Sequence, residues 1–250
     1  MIEVQAREEA SLIRLAHGKA SALDLEFATV LAEALREAAR SEQPIILTGT
    51  RSIFSAGVDL FRILDESPSY VVSFLQSLDE LLLTAWKLEV PMVAAINGHA
   101  IAGGLILALC CDWRLIAAGG GRAGVPELRV GVPFPRLPLE IVRARVPVEH
   151  FEMIMFGGET FEAQRALDLG LVDELVEPAK LIDRAAELCR SLSSIPGEAF
   201  AITKRNIRSV ALERFERRGS DVDEKTLKIW SSASTRAAIR GYLDRTIGKR

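Results

Sequence analysis

Two adjacent glycines, Gly103 and Gly104, interrupt the stretch "NGHAIAGGLILALCCD" (Asn97 to Asp112) just before a run that is almost wholly apolar. Glycine costs about 1 kcal/mol relative to alanine inside a helix, so something near this helix start requires a bare backbone. A strand, a loop and then a helix leave free N–H groups at the helix start, where the helix dipole favours negative charge. Without a Cβ, glycine lets an acyl oxygen come within hydrogen-bond distance; it equally lets a neighbouring backbone pack close. A second loop, "FSAGVDL" (Phe54 to Leu60), has the same design of small residues and a glycine before a short helix. Its N–H groups at Ala56 and Val58 can face the first set, and two convergent backbone donors make an oxyanion hole. Losing one such donor costs about 2.7–4 kcal/mol in other enzymes. Neither loop carries a serine–histidine or cysteine–histidine pair, so an enolate suits the hole as well as a tetrahedral intermediate. An enolate needs a base, and the candidate is Glu127 in "AGVPELRVG". A carboxyl amid apolar residues has a raised pKa and can cycle one proton. Local sequence alone favours the plainer alternative, a solvated glutamate on a loop.

The elements that must position these residues follow from periodicity. "IEVQA" and "SLIRLAH" alternate as two strands joined at "REEA", and Asp24 caps the amphipathic helix "LEFATVLAEALREAAR". "IILTGT" reads as a buried strand, "RSIFSAGVDLFRIL" as a loop entering a short helix, and "YVVSFLQSLDELLLTAWKLE" as a second long amphipathic helix. The strand "MVAAI", the helix "LILALCCD" and the short strands "WRLIAAG" and "RAGVP" come next. Helices are expected at about 136–145, 148–157, 161–168, 179–194, 197–213, 221–231 and 234–247, with "LVDEL" a late strand. This is an α/β pattern with a helical C-terminal extension. Alternation alone does not separate a doubly wound sheet from a spiral of ββα turns.

Composition narrows the function classes. The 250 residues are 49% hydrophobic and 26% charged, as in a soluble globular protein with a sizeable core. A formal net charge of -3 speaks against nucleic acid as a partner. No apolar run of about 18 residues can span a bilayer, and the acidic, alternating N-terminus is no signal or transit peptide, so a cytoplasmic address is expected. Cys110, Cys111 and Cys189 offer no disulfide framework, and His17, His99 and His150 lack ligand spacing, so no metal is expected. "GGGRAG" (Gly119 to Gly124) fits the dinucleotide fingerprint, but Pro126 forces Val125 to be extended where a helix should begin. No P-loop pattern is present.

In order, "FSAGVDL", "INGHAIAGGLILALCCD" and "VPELRVGVPFP" resemble the crotonase, or enoyl-CoA hydratase/isomerase, superfamily. The likeness extends to "ALDLEF" near the start and "EAQRALDLGLVDELV" late in the chain. It implies a crotonase-like spiral of ββα turns over residues 1–195 that binds acyl-CoA. Residues 196–250 become a helical region for assembly as a homotrimer or a dimer of trimers. It implies acyl-CoA thioester substrates, with coenzyme A part of the substrate and no separate cofactor. Carried over residue by residue, the oxyanion donors are the N–H groups of Val58 and Gly103. Ala56, Asp59, Leu60 and Gly104 fall among the CoA- and substrate-binding positions. "GYLDR" resembles a segment that reaches CoA from an adjacent subunit, which makes Tyr242 and Arg245 either CoA contacts or packing and surface residues.

One departure from the superfamily pattern is informative. Hydratases carry two catalytic glutamates; here the first position is Ile106 and the second is Glu127. A single carboxylate suits moving a proton from C2 to C4 of a 3-enoyl chain, and the pattern is similar to Δ3,Δ2-enoyl-CoA isomerases. "PFPRLPLE" replaces the usual glycine run and would shield the carboxylate from water. Two other readings stay open: another crotonase-type reaction, such as hydration or thioester hydrolysis, and a non-catalytic acyl-CoA-binding subunit.

Overall fold

The computed structural model describes residues 1–217, 220–246 and 248, without the side chains of 220–223. Strands β1 (Ile2–Ala6) and β2 (Ser11–Leu15) form the expected antiparallel hairpin, with Ile2 opposite Leu15. Helix α1 (Leu25–Ala39) starts at Asp24, whose carboxylate accepts the N–H of Phe27, and buries Phe27, Leu31 and Leu35 on one face. Three ββα units follow. The first is β3 (Ile45–Thr48) and β4 (Ile53–Ser55) with α2 (Leu60–Asp65) and α3 (Pro68–Lys87). The second is β5 (Met92–Ile96) and β6 (His99–Ile101) with α4 (Gly103–Leu109). The third is β7 (Trp113–Ala117) and β8 (Arg122–Gly124) with the short α5 (Glu127–Val130). Helices α6 (Arg136–Arg145) and α7 (Val148–Gly157), strand β9 (Thr160–Glu162), α8 (Ala163–Asp168) and β10 (Glu174–Val176) complete the layered part. The chain ends in α9 (Leu181–Ser193), α10 (Gly197–Arg217), α11 (Ser220–Trp230) and α12 (Ala233–Thr246).

Among the described residues the strands divide into two sheets, ordered β1-β2-β3-β5-β7-β10 and β4-β6-β8-β9. Each ββα unit gives its first strand to the larger sheet and its second to the smaller, so successive turns stack as a spiral. The central strands β3 and β5 are buried along their whole length, as parallel strands covered on both faces must be. Strands β4, β6 and β9 are not apparent in the sequence. Each has three residues, too few for alternation to show, and β9 takes the first residues of the helix expected from 161. The "GGGRAG" stretch ends in β8, and the four-residue α5 begins only at Glu127, three residues beyond its last glycine.

The C-terminal helices share the main core, to which Ala211, Trp230, Ile239 and Leu243 belong. Their anchor is Asp112, at the end of the α4 turn. Its carboxylate receives Lys204 Nζ and Arg208 Nη2, each at 2.7 Å, and the Met92 N–H at 2.8 Å. Arg208 also donates to the carbonyls of Trp86 and Cys110 and lies over the Trp86 ring. Among the described residues no helix is long and apolar enough to cross a membrane.

Removing the Asp112 carboxylate would strand two buried cations. Asp112→Ala is expected to lose about 3–5 kcal/mol of unfolding free energy. Urea titration of the variant against the wild type measures the loss.

Candidate active site

The smaller sheet gathers the candidate residues. Strands β4, β6 and β8 are parallel neighbours, with Ser55 beside Ala100 and Ile101 beside Gly124. Val58 lies three residues beyond β4, Gly103 two beyond β6 and Glu127 three beyond β8. All three therefore leave the C-terminal ends of adjacent strands, on one edge of one sheet. The Ala102 N–H donates to the Gly124 carbonyl at 2.8 Å, tying the second and third exits together. The first two exits touch directly. A Cβ on Gly103 would lie 3.9 Å from both Gly57 Cα and Val58 Cγ2.

The turn after β4 commits its amides selectively. Ala56 N–H donates to Ala20 O, Gly57 N–H to Ser55 Oγ and Asp59 N–H to Leu23 O. Among the described residues, Val58 N–H has no acceptor. Nor does Gly103 N–H, which opens α4 without a capping side chain. The pairing of Ala56 N–H removes it from the donors the sequence suggested. Gly57 sits at φ +77°, where a Cβ would meet the Ile101 carbonyl oxygen at 2.5 Å, so this turn requires glycine twice over. Ala102, just before α4, has φ 52° and ψ -129°, a conformation that alanine adopts only under constraint. Nothing in the sequence hints at it.

The glycine pair now divides. Gly104 answers close packing: a Cβ there would stand 2.5 Å from the Ser55 carbonyl oxygen. A Cβ on Gly103 would come nearest to a flexible side chain, Leu23 Cδ1 at 3.0 Å, and its N–H, like that of Gly104, has no acceptor among the described residues.

Glu127 is not a solvated loop residue. It is the first residue of α5 and only 7% exposed, and its Oε2 is buried without a hydrogen-bond partner. Burial pushes the carboxyl pKa up to about 8, because the charged form loses water and gains little in return. Ile106, three residues into α4, is 2% exposed. Asp59 caps α2 by accepting the N–H groups of Phe61 and Arg62, and Leu60 is half-buried at its first turn. Ala56 is also half-buried.

Helix α12 lies over this edge within the same chain. Arg236 donates to the Leu64 and Glu66 carbonyls at the end of α2, and Ala238 Cβ would stand 2.7 Å from a Cβ on Gly131, just beyond α5. Tyr242 is half-buried against its own core and Arg245 is exposed. A cavity of about 940 Å³ lies elsewhere, at the N-terminal ends of β3 and β5, lined by Pro44, Pro91, Phe200 and Arg205 among others. No candidate residue lines it.

A neutral carboxyl buried at pH 7 has a thermodynamic signature. Its folded pKa lies above its unfolded one, so the folded state holds the extra proton between about pH 4.5 and 8. Stability should fall as pH rises through that window, by at most about 1.4 kcal/mol per unit, and level off above it. In Glu127→Gln this component should vanish, so the variant gains on the wild type toward pH 8. Chemical denaturation at several pH values reads the difference.

Comparison with known proteins bears on the family and the fold. The model of the enoyl-CoA hydratase/isomerase family matches residues 6–247. The human mitochondrial enoyl-CoA delta isomerase 1 is 28% identical, over 98% of this chain and 82% of its own length. The probable enoyl-CoA hydratase EchA17 of Mycobacterium tuberculosis is 33% identical over 66% of this chain and 63% of its own length. The crystal structure of human mitochondrial delta3-delta2-enoyl-CoA isomerase superposes with a TM-score of 0.92 at 25% identity, covering 98% of this chain and 97% of that one. With its spiral of ββα turns and a family match spanning nearly its whole length, this chain belongs to the enoyl-CoA hydratase/isomerase family.

Proposed function

We propose that this protein is an acyl-CoA double-bond isomerase that converts a 3-enoyl-CoA to a 2-trans-enoyl-CoA, with Glu127 as its single acid/base. The observation that supports the proposal is one buried carboxyl, its Oε2 without a hydrogen-bond partner, on the sheet edge that also bears the uncommitted amides of Val58 and Gly103. The thioester oxygen binds to the N–H groups of Val58 and Gly103. Ionised Glu127 takes a proton from C2, and the C–H electrons form the C1–C2 double bond of a dienolate. The two amides stabilise the negative charge that develops on the oxygen. Glu127 then returns the proton to C4, and the double bond moves to C2–C3. Coenzyme A belongs to the substrate, and no further cofactor takes part.

Hydration would need a second carboxylate to hold and activate water. The buried Ile106 occupies that position on α4, which supports isomerisation over hydration. Ala56, Asp59, Leu60 and Gly104 shape the binding loops in this reading. Tyr242 and Arg245 lie on α12, and in this reading they are either CoA contacts or packing and surface residues. Assembly into a homotrimer or a dimer of trimers belongs to the same proposal. The exposed apolar residues Val148, Met153 and Phe156 on α7 support it.

A base with a pKa near 8 is active only when ionised. For 3-enoyl-CoA, kcat/KM should therefore rise about tenfold per pH unit below 8 and flatten above it. Glu127→Gln should lower kcat by at least about a thousandfold while CoA-thioester binding persists. Conjugation of a 3-enoyl-CoA and hydration of a 2-enoyl-CoA, both followed by absorbance, separate the alternatives. Hydration at a comparable rate would make the protein a hydratase, and tight binding without turnover would make it a binding subunit. Unchanged isomerisation in Glu127→Gln would remove the mechanism.

A further inference from the structure

We propose that His17 and Asp24 form a clasp that holds the Val58 amide in its working orientation, so that His17 is a positioning residue. The inference rests on the oxyanion role proposed above for Val58.

The segment between β2 and α1 is the mould in which the Val58 turn is cast. Four hydrogen bonds join them. Ala20 O accepts Ala56 N–H at 3.0 Å, and Ser21 O accepts the Ser55 hydroxyl at 2.7 Å. Leu23 N–H donates to Gly57 O at 2.7 Å, and Leu23 O accepts Asp59 N–H at 2.9 Å. Leu23 thus grips the peptide groups on both sides of Val58 and fixes the direction of the one N–H left over. Any looseness in residues 17–24 passes directly to that donor.

The mould itself is under tension. Ser21 is held at φ 44°, uncommon for a residue with a side chain, while its hydroxyl donates to Leu15 O and its N–H to His17 O. Its two ends are joined by a side-chain bond. His17 Nε2 lies 2.7 Å from Asp24 Oδ2, and a carboxylate only accepts, so the histidine is the donor. Asp24 is 5% exposed, and its other oxygen caps α1 through Phe27 N–H. The His17 ring stacks on the Phe27 ring, with centroids 4.8 Å apart. The clasp therefore references the donor loop to the first turn of a long, core-anchored helix. Supporting contacts of this kind are what keep a catalytic donor within a fraction of an ångström of its productive position.

Three variants test the clasp. His17→Ala removes it. His17→Gln keeps an N–H donor of similar reach. Asp24→Ser keeps an N-cap for α1 but leaves His17 without its carboxylate. The expected result is a fall in kcat of about tenfold for His17→Ala and Asp24→Ser, with KM changed less than about twofold. Their double variant should be no worse than either alone, and His17→Gln should recover to within about threefold. Two readouts do not depend on turnover. Hydrogen exchange at the amides of Ala56 and Asp59 should quicken at least about tenfold in His17→Ala. The carbonyl stretch of a bound saturated acyl-CoA, labelled at the thioester carbon, should move toward its free value.

If His17→Ala leaves kcat, exchange and the carbonyl band unchanged, the clasp proposal is wrong. It is equally wrong if His17→Gln is as damaged as His17→Ala, or if the loss appears in KM rather than kcat. A wild-type protein that isomerises nothing would overturn the proposed function instead; exchange and the carbonyl band would still decide the clasp.

Discussion

Close approach of one main chain to another, at the edge where β4 and β6 end, is the constraint on which the rest of the molecule depends. Gly57 leans against the carbonyl of Ile101, and Gly104 against the carbonyl of Ser55, at separations no side chain can enter. This crowding brings the turn after β4 against the first residue of α4. Ala102, between β6 and α4, takes its unusual conformation at this same junction. In the turn after β4 the Val58 amide is left unpaired because the mould and Ser55 have taken its neighbours, and at the start of α4 the Gly103 amide is among those without an acceptor. Unpaired amides near a protein interior are costly and rare. In the proposed function, the pair at this junction holds the thioester oxygen.

The buried carboxyl answers to the same logic. Desolvation raises the Glu127 pKa, and that one cause has two opposed consequences. In the proposed reaction it strengthens the carboxylate as a base toward a carbon acid, and whatever the reaction it destabilises the folded chain as the group ionises. A second carboxylate nearby would raise the pKa further through like-charge repulsion and would draw water in. With Ile106 buried in α4, the proposed mechanism has one carboxyl to work with.

Much of this is legible in the chain, for reasons that can be named. Helices α1 and α3 show their apolar faces over four or five turns, and Asp24 advertises its cap, so their limits are readable to within a residue or two. The hairpin of β1 and β2 shows in alternation. Strands β4, β6 and β9 do not, because three residues carry no period. The positions of Val58, Gly103 and Glu127 are readable from their order along the chain. The environment of Glu127 is not, since local sequence argues for solvent while its burial comes from elements distant in the chain. Ala56 reads as a free donor because its partner, Ala20, lies 36 residues earlier and nothing local announces the pairing. The clasp between His17 and Asp24 is hidden for a related reason: an N-cap aspartate has two oxygens, and sequence accounts for only one.

The C-terminal helices give the arrangement its last constraint. Arg236 fastens α12 to the carbonyls that end α2, the helix launched by the Val58 turn. Two residues on, Ala238 packs against Gly131, which closes the short helix launched by Glu127. One rigid helix thus spans the element behind the amide and the element behind the carboxyl. Trp230, hydrogen-bonded to the Pro133 carbonyl, sets where α11 hands over to α12. In the proposed reaction, a proton must travel between C2 and C4 while the thioester oxygen stays fixed. That requires a constant distance between amides and carboxyl, which lie on different turns of the spiral. Sheet hydrogen bonds fix that distance from below, and α12 fixes it from above. In that proposed reaction, a C-terminal helix packed on its own chain would serve the geometry as well as the fold.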